Sequence, residues 1–64
     1  MAVPERFRKF VEQAVEMMPR LDPAAAQKLK AAVDALHAAA RMNDNAQVEA
    51  AGNALMDTLF DVRP

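Results

Sequence analysis

Apolar residues recur along this chain at helical spacing, and their most regular stretch mirrors itself. Folded back about Asp44, the segment from Ala24 to Phe60 sets Leu29 opposite Leu59, Val33 opposite Leu55, Leu36 opposite Gly52 and Ala40 opposite Val48. Two antiparallel helices joined by a short turn require such mirrored registers. Upstream, Phe7, Val11, Ala14, Val15 and Met18 form a further stripe at three- and four-residue intervals. The pattern therefore predicts an all-α fold of three helices, at about 4–18, 23–42 and 45–61, in one domain. The second and third form an αα-hairpin and the first packs across it.

Local signals place the ends. Pro4 suits a first helical position, and Glu5 follows it in the first turn, where negative charge is favoured. Pro19 disfavours helix at the residue before it, closing the first helix near Met17 or Met18. Asp22 before Pro23 reads as an N-cap followed by proline at the first helical position. Asn43 fits a left-handed position after the second helix, and Asp44 with Gln47 fits a capping box for the third. Gly52 sits in mid-helix, where it costs about 1 kcal/mol relative to alanine. Close approach of the two hairpin backbones, with Leu36 seated over the missing side chain, would explain it.

The second helix changes the picture. Its polar residues Gln27, Lys30, Asp34, His37 and Arg41 make one narrow stripe, and Lys28 is its only other charge. Well over half its circumference is apolar, more than a single neighbour can cover. After the core stripes are assigned, Phe10 and Met17 remain on the first helix. Ala31, Ala35, Ala38 and Met42 remain on the second, and Met56 and Phe60 on the third. Phe10, Met17, Ala35, Ala38, Met42, Met56 and Phe60 are thus the candidate dimer-interface or partner-binding residues, because contiguous apolar surface marks association and methionine adapts to varied partners.

Composition narrows the function. The chain has 64 residues, and 53% are hydrophobic, so one small core must carry the fold. Domains of this size are commonly reinforced by disulfides, metals or association. Cysteine is absent and histidine occurs once, which leaves association. No apolar run is long enough to span a bilayer, and Arg6, Arg8 and Lys9 near the start are followed by no signal-type apolar stretch, so a cytoplasmic location is expected.

Catalytic sets are not evident. Serine and cysteine are missing, and Thr58 is the only threonine. His37 lies on the polar stripe, and Asp57 and Asp61 form a like-charged pair late in the third helix. No cofactor or metal is expected. Net charge is −1, far from the basic excess of nucleic-acid binders, and the third helix offers Gln47 and Asn53 but no lysine or arginine to a DNA groove. The expectation is a non-enzymatic protein-interaction module of adaptor, regulator or inhibitor type, assembled as a helical-bundle homodimer or bound to another protein. The competing expectation is a small dimeric nucleic-acid-associated regulator that contacts phosphates through Arg6, Arg8 and Lys9.

Overall fold

A computed structural model describes residues 3–62. It contains three α-helices: α1 (Glu5–Met17), α2 (Pro23–Arg41) and α3 (Asn45–Val62), with a single 3₁₀ turn at Met18–Arg20 between α1 and α2. The all-α expectation holds, and α2 packs closely on α3, far more extensively than either packs on α1.

Each boundary has a local cause. Pro4 stands one position before the helix as its N-cap (φ −56°, ψ 145°), where its carbonyl accepts from the N–H groups of Phe7 and Arg8, both at 3.0 Å. The expected helical start at Pro4 therefore moves to Glu5. After Met17 the chain tightens into the 3₁₀ turn, in which Leu21 N–H donates to the Met18 carbonyl at 3.2 Å. Asp22 caps α2 by accepting from Ala25 N–H at 2.8 Å, with Pro23 in the first turn. Asn43 adopts φ 56°, the left-handed conformation that lets the chain reverse within two or three residues. Asp44 accepts from Gln47 N–H at 3.2 Å and caps α3. Among the described residues, only this half of the reciprocal capping box forms.

The core is built mainly from the hairpin. Leu29, Leu36, Leu55 and Val48 are the large side chains wholly removed from solvent, joined by Val33, Ala39, Ala40 and Leu59. Every residue of the mirrored pairs about Asp44 is buried. From α1 only Phe7 and Ala14 are buried, while Phe10, Val11 and Met17, with Met18 of the 3₁₀ turn, pack partly against the core.

Two details differ from expectation. Val15 is 57% exposed and does not belong to the core stripe. It lies one residue beyond Ala14, about 100° further round α1, and a helix resting in the hairpin groove buries only a narrow stripe. Gly52 is buried, but the group occupying its missing side-chain space is Phe7, not Leu36. A β-carbon built on Gly52 would lie 2.5 Å from Cε1 and Cζ and 2.6 Å from Cδ1 of the Phe7 ring. The reason is angular: Gly52 precedes Leu55 by three residues, about 60° short of a full turn. That offset turns it from α2 toward α1.

Candidate interaction surfaces

The Phe7–Gly52 contact fixes where α1 lies, and its neighbours build the first surface. Arg6 reaches across to α3, where Nη2 meets Glu49 Oε1 at 2.8 Å. The same guanidinium lies 4.7 Å from the Phe7 ring centroid, in cation–π range. One turn further along, Phe10 and Met56 face a common groove with Arg6, Phe7, Glu49 and Asn53. The pairings Arg6 with Glu49 and Phe7 with Gly52, followed by the groove that Phe10 and Met56 share, advance in the same chain direction along both helices. Phe60, one turn after Met56, is 63% exposed.

The second surface belongs to the hairpin alone. Ala35, Ala38 and Met42 of α2 line a groove with Ala39, Asp44 and Gln47 near the turn. Met42 is the most exposed of the large hydrophobic residues, at 75%. A third groove, at the open end of the hairpin, is lined by Asp22, Ala24, Ala25, Lys28, Asp61 and Val62.

The expected interface residues thus fall into separate places. Phe10 and Met56 come together between α1 and α3. Ala35, Ala38 and Met42 come together between α2 and α3. Met17 is half-buried against the core. Glu49 and Asn53 complete the first groove and escaped the sequence reading. Their positions, Glu49 three residues before Gly52 and Asn53 three residues before Met56, could have flagged them as neighbours of α1 once Gly52 was assigned to Phe7.

Of the basic residues of α1, Arg6 pairs with Glu49 and lies over the Phe7 ring, and Arg6, Arg8 and Lys9 are all exposed. Both partners of the Arg6–Glu49 pair are 61% exposed, so its contribution is small, at most about 1 kcal/mol.

The polar chemistry is all at the surface. Among the described residues no polar or charged side chain is buried, and no group of three His, Cys, Asp or Glu side chains is placed to hold a metal ion. His37, Asp57 and Asp61 are exposed, and the Thr58 hydroxyl donates to the Ala54 carbonyl at 2.8 Å. No described helix is long and apolar enough to cross a membrane. The chain matches no protein family, no curated protein and no solved structure.

Proposed function

We propose that this protein is a non-enzymatic interaction module that works as a homodimer and offers an apolar helical groove to a protein partner. The observation that carries this reading is the α1–α3 groove. It sets Phe10 beside Met56, with exposed Phe60 one turn beyond, and is bordered at one end by the Arg6–Glu49 pair. An amphipathic helix with anchors at i, i+3 or i+4 and i+7 matches such a surface, because aromatic and methionine side chains give it depth and adaptability. Self-association is supported by the size of the core. Four large side chains are fully buried in a chain that leaves Met42, Phe60 and Val15 more than half exposed, and burial against a second copy supplements a fold of this length.

Two measurements test the reading. Sedimentation over a concentration series should show a mass of twice the 7.0 kDa chain. A monomer at high micromolar concentration would remove the dimer. Proteins retained from the native source by the wild type should be lost with Phe60→Asp, whose side chain lies outside the core and whose substitution should leave the far-ultraviolet circular dichroism unchanged. Equal retention by both would remove the groove.

A further inference from the structure

Helix α1 covers one side of the hairpin. On the opposite side two grooves lie between α2 and α3, one at each end, and α1 lines neither. Between them runs a row on α2 consisting of Ala24, Lys28, Ala31, Ala35, Ala38 and Met42, spaced alternately by four and three residues. All are exposed except Ala38, which is half-buried. That spacing is the period of a helix seam that faces another helix along its whole length.

We propose that a second copy of this chain covers this face, with its α2 antiparallel to the first and a two-fold axis passing beside Ala35. The inference rests on the self-association proposed above and specifies the face and register.

The occupant follows from how the features of the two grooves are arranged about Ala35. A two-fold axis there sets each residue opposite the one equally far on the other side. Lys28 and Met42 are each seven residues from Ala35, so Met42 of one copy meets Lys28 of the other. The methylene stem of lysine, beside Ala24 and Val62 in the open-end groove, covers a methionine that the isolated chain leaves in water.

Charge agrees with this register. Among the described residues Lys28 is the one cation that lines either groove, and Asp44 lines the groove that holds Met42. The lysine ammonium is carried toward Asp44 of the partner subunit, twice per dimer. Asp22 and Asp61 lie in the groove of Lys28 itself, so the surroundings of this lysine are acidic. The alanines contribute by being small, letting the two α2 axes approach to about 8 Å.

Because the chain contains no cysteine, single-cysteine variants test the register directly. Under oxidised glutathione, Ala35→Cys should form a disulfide-linked dimer at least tenfold faster than Asn53→Cys, which sits in the α1–α3 groove. Disulfides need Cα atoms roughly 4.4–6.8 Å apart, a separation met at the axis and not across the molecule. A mixture of Lys28→Cys and Met42→Cys should yield mostly the mixed disulfide. Ala35→Glu should weaken the dimer about a hundredfold, since two carboxylates then face each other at the axis, while helicity is retained. If the protein sediments as a dimer but Ala35→Glu leaves it intact, or Asn53→Cys cross-links and Ala35→Cys does not, this face is refuted and self-association survives. A monomer at every concentration overturns both.

Discussion

Replacing Gly52 by alanine sets two well-separated effects against each other. In an isolated helix the change is favourable by about 1 kcal/mol, because glycine gives up more backbone freedom on folding. Here the added methyl would stand 2.5 Å from two ring carbons of Phe7 and 2.6 Å from a third. Carbon atoms rest at about 3.5–4.0 Å, so the ring must retreat by about 1 Å or more. Phe7 is 5% exposed and borders the α1–α3 groove, so the ring either turns toward that groove, giving up buried contacts, or carries α1 away from α3. Overpacking of this kind costs about 1–3 kcal/mol. The expected net result for Gly52→Ala is a loss of about 1 kcal/mol, or roughly 4–8 °C in Tm for a domain of this size. In a Phe7→Leu background the clash is relieved, and the same substitution should become neutral or stabilising. The double-mutant cycle should then give a coupling of about 1–2 kcal/mol. Tryptophan and tyrosine are absent, so the assay is urea unfolding followed by circular dichroism at 222 nm. Protein concentration must be fixed, because association would otherwise shift the midpoint. Equal stabilisation by Gly52→Ala in both backgrounds would refute the seating of Phe7 on Gly52.

Other consequences are simpler to measure. Asn43→Ala should lose about 1 kcal/mol because its φ of 56° is costly for a residue with a β-carbon and no local hydrogen-bonding side chain, whereas Asn43→Gly should be neutral or better. Asp22→Ala and Asp44→Ala each remove an N-cap bond and should cost about 1 kcal/mol in the same urea titration. A duplex-DNA titration at low and moderate salt should show no steep salt-dependent binding. A slope corresponding to several phosphate contacts would instead favour action through Arg6, Arg8 and Lys9.

The hairpin was legible because one rule governs it. Antiparallel arms about a short turn bury residues at mirrored positions, and the whole set from Leu29 to Leu59 is buried accordingly. The caps at Asp22 and Asp44 and the left-handed Asn43 were legible too, since each depends on its own residue and near neighbours. Placement of α1 was not. Nothing local to Gly52 says whether Leu36 or Phe7 fills its space; that depends on which side of the hairpin receives the first helix. The candidate surface suffered for the same reason. Phe10 and Met56 could not be separated from Ala35, Ala38 and Met42 until α1 was known to lie on one side of α2 and α3 only. Val15 fell outside the core because periodicity gives the centre of a stripe better than its width.

The unequal attachment of the three helices also bears on how the molecule opens. α2 and α3 share most of the buried side chains, and their turn contacts are close in sequence, whereas α1 contributes Phe7 and Ala14 and a solvent-exposed ion pair. Backbone amides of α1 should therefore exchange with solvent deuterium through a partial opening, at lower free energy than those around Leu36 and Leu55, which wait for global unfolding. That opening uncovers the backbone of α3 at Gly52, a shallow notch in the hairpin that the Phe7 ring otherwise fills.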